Sequence, residues 1–108
     1  MPHEPYNLLS RYQIIEHALK NPSLSRGHCV VLSVILGHVD PDGDAWPGMK
    51  KICSKAGISK STAVRAVDRL ERLGYLSVER RHGSSNVYSI TDVEDLPTGV
   101  RCDTSFTF

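Results

Sequence analysis

The densest chemistry-bearing stretch of the chain lies between residues 50 and 82. It holds Lys50, Lys51, Lys55, Lys60, Arg65, Arg69, Arg72, Arg80 and Arg81 against only Asp68, Glu71 and Glu79, a net +6, with His82 at its end. Cations gathered in this way bind polyanions, because each can neutralise a phosphate and release its condensed counterion. The rest of the chain carries four basic and nine acidic residues, a net −5, so the overall +1 conceals a basic segment in an acidic frame. A lysine-rich solvated helix face would give the same composition. The local structure that the segment predicts decides between the two.

Other chemistries find less support. The five histidines (His3, His17, His28, His38 and His82) include no i, i+4 pair and no neighbouring cysteine pair, so no metal site is expected. Asp40-Pro41-Asp42-Gly43-Asp44 has the spelling of a calcium loop, but its twelfth position is Lys51, and turn chemistry accounts for these residues. Cys29 lies in an apolar run, where thiols are inert, and no base pairs with it, so no catalysis is expected. The three cysteines are widely spaced with no Cys-x-x-Cys, which reads as free thiols in a reducing, cytoplasmic setting. Neither a cofactor nor a small-molecule ligand is indicated.

A chain of 108 residues is one domain's worth of material, and its 40% apolar content is too high for general disorder. The longest nearly apolar run, Cys29 to Leu36, is too short to span a membrane, and residues 1–22 show no secretory pattern. Ser10-Arg11-Tyr12-Gln13 spells a capping box, predicting a helix over 11–20 with Tyr12, Ile15 and Leu19 along one stripe. That stripe either packs on the next helix or forms a dimer seam. Ser25 caps a second helix running to about Val39, apolar nearly all round and therefore central. Trp46 reads as a core or strand anchor in preference to a base-stacking residue, and Pro47 suits the first position of a third helix over 48–56. Gly57-Ile58-Ser59 is a tight turn. Ser59 then caps a fourth helix, about 60–73, in which Ala63, Val67 and Leu70 face inward and Gly74 ends the run. Residues 75–81 and 86–90 have strand composition, with His82-Gly83-Ser84-Ser85 as a hairpin tip.

Two short helices joined by a tight turn, the second amphipathic with polar residues at its start, form a helix-turn-helix arrangement. With Ala63, Val67 and Leu70 packed inward, Lys60, Ser61, Thr62, Arg65 and Arg69 project outward, where long cationic or short polar side chains reach base edges in a major groove. The segments WPGM (46–49), ICSKAGISKSTAVRAVDRLERLGYL (52–76) and ERRHGSSNVY (79–88) resemble a winged helix-turn-helix. The resemblance is to the family found in phage and plasmid replication-initiation proteins and, more distantly, to GntR-type and MarR-type regulators. It implies an α+β fold, a three-helix core with a β-hairpin wing, here with an extra N-terminal helix.

The resemblance also implies roles. Lys60, Ser61, Thr62 and Arg65 would contact the groove, and Ser59 would act as cap and phosphate ligand. Lys50 and Lys51 would hold phosphates, and Arg80, Arg81, His82 and Ser84 would act from a wing over 79–87. Val64 stands where GntR-like helices often carry arginine, so that base contact does not transfer; Cys53 stands at a usually apolar position. For Arg80-Arg81-His82 the alternative is edge-strand protection.

The expected organisation is an N-terminal extension (1–22), the winged helix (23–91) and a tail (92–108) in which Val100, Cys102, Thr104, Phe106 and Phe108 alternate like a short strand. The expected partners are double-stranded DNA and a second copy of the chain, without membrane contact, in a cytoplasmic, nucleoid-associated protein. The expected role is transcriptional regulation, or replication or excision of a mobile element. The rival reading is a winged helix that contacts other proteins and not DNA.

Overall fold

The computed structural model describes residues 7–81, 83 and 85–96. Four helices and three strands follow in the order α1 (Leu8–Leu19), α2 (Arg26–Leu36), β1 (Asp44–Ala45), α3 (Met49–Ala56), α4 (Lys60–Arg72), β2 (Leu76–Glu79) and β3 (Val87–Ile90), then a 3-10 turn at Val93–Asp95. The antiparallel sheet has the order β1-β3-β2, with Leu76 opposite Ile90 and Ala45 opposite Tyr88. This is the α+β architecture of a winged helix, and α2 is its centre. Val31, Leu32, Ile35 and Leu36 of α2 are buried in one core with Ile52 of α3, Ala63, Ala66, Val67 and Leu70 of α4, and Tyr75, Tyr88 and Ile90. Ile14 and Ala18 of α1 and Leu96 belong to the same core.

The first helix begins earlier than its capping motif predicts. Asn7 is the cap, its Oδ1 accepting from the Ser10 N–H at 2.8 Å, and Ser10 is buried one turn inside the helix. The expected stripe is also displaced. Ile14 and Ala18 point inward, Ile15 packs at the core edge, and Tyr12 and Leu19 are more than 60% exposed. Helix α2 starts at the Ser25 cap as expected, in a reciprocal capping box with His28, but ends at Leu36 with Gly37 following. Residues 37–39 therefore lie in the turn that leads to β1.

Backbone pairing at a distance creates an element that local pattern did not reveal. Asp40 Oδ1 accepts from the N–H groups of Asp42 and Asp44, folding the turn. The chain then emerges as the two-residue strand β1, whose partner is β3 more than 40 residues later. Pro47 lies just outside α3, not at its first position: Gly48 is the N-cap and Met49 the first helical residue. Gly74, with φ +88°, makes the left-handed exit from α4 that its position predicts.

A buried polar contact ties α1 to the sheet. The Tyr75 hydroxyl accepts from Asn21 Nδ2 at 3.1 Å and lies 2.7 Å from His17 Nδ1, so it is positioned to donate to that nitrogen. Tyr75 and Asn21 are both buried, so these partners stand in for water. The expected tail strand and Cys102 fall on 97–108, outside the described residues.

Candidate nucleic-acid interface

Helices α3 and α4 are joined by Gly57-Ile58-Ser59. Gly57 adopts φ +70°, a conformation that side-chain-bearing residues rarely hold, and its N–H bonds to the Cys53 carbonyl at 2.8 Å. Ser59 Oγ then accepts from the Thr62 N–H and also lies 3.0 Å from the Thr62 hydroxyl and 3.3 Å from that of Ser61. The cap thus gathers three hydroxyls at the exposed start of α4. Ala63, Ala66, Val67 and Leu70 bury one face of α4, leaving Lys60, Ser61, Thr62, Arg65 and Arg69 exposed.

The two lysines at the start of α3 face different ways. Lys50 and Lys60 rim a shallow hollow floored by Met49 and Cys53, which brings the first turns of α3 and α4 together. Lys51 instead shares a groove with His38, Trp46, Pro47 and Gly48. No side chain caps the first turn of α3. Its N–H groups add positive potential to the same surface.

Ion pairing decides where the excess charge sits. Arg72 pairs with Asp68 at 3.4 Å, Arg80 with Glu71 at 3.2 Å, and Arg81 with Glu79 at 3.6 Å. These pairs use all three carboxylates of the basic segment. Lys50, Lys51, Lys55, Lys60, Arg65 and Arg69 form no ion pair among the described residues, so the net +6 rests on α3 and α4. Arg80 and Arg81, just beyond β2, are paired locally, and Arg80 folds back onto α4. Arg69 lies on the flank of α4 beside the start of α2, where its charge, after burial, holds the His28 ring below its ordinary pKa.

Residues 23–76 match the sequence family described as a helix-turn-helix domain, which is half of the chain. The chain belongs to that helix-turn-helix family. A search of the curated proteins finds no match.

Of the expected wing residues, which follow the matched segment, His82 and Ser84 fall outside the described residues. Near α3 and α4, the apolar side chains of Val64 and Trp46 are exposed where the sequence did not place them at the surface. Val64, set aside for lacking a charge, is 47% exposed on α4 beside Lys60, Ser61 and Arg65 in the helical order. Trp46, expected in the core or anchoring a strand, is 56% exposed. Ala45 takes the buried position of β1 opposite Tyr88, and the two-residue alternation turns Trp46 to the other face. The signal that could have found it was the small apolar Ala45 beside it.

Cys29 is buried, and burial raises its thiol pKa, which disfavours the reactive thiolate. Among the described residues no cluster of three or more His, Cys, Asp or Glu could hold a metal, and no helix is long and apolar enough to cross a membrane.

Proposed function

We propose that this helix-turn-helix domain binds double-stranded DNA sequence-specifically, with α4 in the major groove and the hairpin 79–87 as a wing over the adjacent minor groove and its backbone. The observation that carries this reading is the set of cations on the first turns of α3 and α4 that have no ion pair among the described residues, joined by the Ser59, Ser61 and Thr62 hydroxyls. Lys60, Ser61, Thr62 and Arg65 contact base edges, while Lys50, Lys51, Ser59 and Arg69 hold phosphates. Arg80, Arg81, His82 and Ser84 act from the wing. The wing arginines reach DNA by exchanging a carboxylate partner for a phosphate, so they contribute less than the helix cations.

The DNA-binding unit in this reading is 23–91, with 1–22 as an N-terminal extension and 92–108 as a tail. It acts as a homodimer on a two-fold site, and the exposed Tyr12 and Leu19 of α1 offer an apolar face for the second copy. The role is that of a transcriptional regulator, or of a replication or excision protein of a mobile element, at the nucleoid. Neither catalysis nor a cofactor enters it. The test is a mobility-shift assay with random-sequence duplex DNA at low salt. Retarded complexes are the expected result. Free duplex at every protein concentration would leave the protein-contact reading of the fold.

A further inference from the structure

We propose that Trp46 is a DNA-backbone contact: its indole packs against the sugar–phosphate strand that passes between α4 and the wing. The inference rests on the DNA-binding reading above and extends it to a corner of the fold that neither the recognition helix nor the wing includes.

Trp46 is the only tryptophan in the chain and stands 56% exposed where β1 leaves the sheet for α3. It separates two shallow grooves. One is lined by Trp46 with Arg81, Val87 and Asp44, on the wing side. The other is lined by Trp46 with Lys51, His38, Pro47 and Gly48, on the α3 side. The two sides are close together, since a Cβ placed on Gly48 would lie 3.5 Å from Ser85 Oγ on the returning arm of the wing. The indole is thus flanked by Lys51 on one side and on the other by Arg81, which is paired with Glu79 at 3.6 Å and would exchange that carboxylate for a phosphate. Among the described residues the one carboxylate lining either groove, Asp44, accepts a hydrogen bond from the Ser89 hydroxyl at 2.9 Å.

The geometry of duplex DNA supplies the occupant. A sugar–phosphate strand divides the major groove from the minor one. If α4 reads the first and the wing lies over the second, one strand must cross the surface between them, past the start of α3. Trp46 lies on that path. Its ring face suits the C–H surface of a deoxyribose, its N–H can donate to a phosphate oxygen, and Lys51 and Arg81 neutralise the phosphates to either side. An exposed indole between two cations fits this ligand better than it fits a wholly apolar partner.

Because Trp46 is the sole tryptophan, its emission reports on this corner alone. The experiment titrates the full chain with a dye-labelled duplex of about two helical turns, following DNA anisotropy and tryptophan emission together, with acrylamide quenching at the end point. The expected result is a change in emission that tracks the anisotropy, with the indole protected from acrylamide. Trp46→Ala should weaken binding about tenfold, the scale expected from burying much of an exposed ring. Trp46→Phe should recover most of the loss. Neither variant should alter the slope of log affinity against log salt, whereas Lys51→Ala should reduce it by about one. Thermal melts establish that each variant is folded.

If the anisotropy rises while emission and quenching stay fixed, and Trp46→Ala binds as the parent does, the inference is overturned and DNA binding stands. An emission change with single-stranded but not duplex DNA overturns it too. No anisotropy change with duplex at low salt defeats the DNA-binding reading itself, and this inference with it.

Discussion

At the scale of single residues, the strongest internal constraint is the buried Tyr75 hydroxyl with its partners Asn21 and His17. Tyr75→Phe leaves the buried Asn21 amide without that acceptor, which should cost about 1–3 kcal/mol in denaturant unfolding. Duplex affinity of the folded fraction should be unchanged, because none of the three lies near the start of α4. His28 has a comparable local role. Its Nδ1 accepts from the Ser25 N–H at 3.0 Å, which requires the unprotonated ring, and burial and the Arg69 charge hold its folded pKa below the ordinary histidine value. A lowered folded pKa means that the unfolded chain takes up the proton first. This contribution to stability is therefore present above about pH 6.5 and is lost as the pH falls through the folded pKa. His28→Gln should remove that acid-side slope in melting temperature. On the binding surface, Arg65→Ala should relax base preference while Lys50→Ala weakens all sequences alike, as site selection from a random pool would show.

At the scale of elements, the helices with strong local punctuation were legible in the sequence. Ser25 and Ser59 cap α2 and α4 because a serine before an amphipathic run satisfies a first-turn N–H whatever lies elsewhere. Ser10 carried the same signal but lost to Asn7, since a helix starting at Leu8 buries Ile14 and Ala18 against α2. Strand β1 could not be read from its neighbours. Two residues have no periodicity, and only the pairing of Asp44 with Ser89 makes them a strand. The outward turn of Trp46 follows from the same pairing, once Ala45 takes the buried position opposite Tyr88. The tight turn between α3 and α4 rests on Gly57, where a Cβ would meet nothing within 4 Å but the backbone holds φ +70°. Gly57→Ala should therefore cost about 1–2 kcal/mol from backbone strain alone, measured by thermal or denaturant unfolding.

At the scale of the whole molecule, the placement of charge matters more than its total. The sequence located a net +6 between residues 50 and 82; pairing within the fold then concentrates it on α3 and α4 and gives Arg80 and Arg81 carboxylate partners. The acidic remainder, a net −5, would orient a polyanion toward the basic face and away from the others. Global stability should fall at alkaline pH. Burial raises the pKa of Tyr75 and of Tyr88, against opposing hydrogen bonds from Asn21 and Asn86. The unfolded chain therefore loses these protons first, and stability present below about pH 10 declines as the pH rises beyond it. The most direct test of the central claim is the affinity for duplex DNA as a function of salt. With five or six of the basic side chains of residues 50–82 engaging phosphates, Lys50, Lys51, Arg69, Arg80 and Arg81 among them, log affinity should fall against log salt with a slope of about −5. A flat dependence between low and moderate salt would contradict the account.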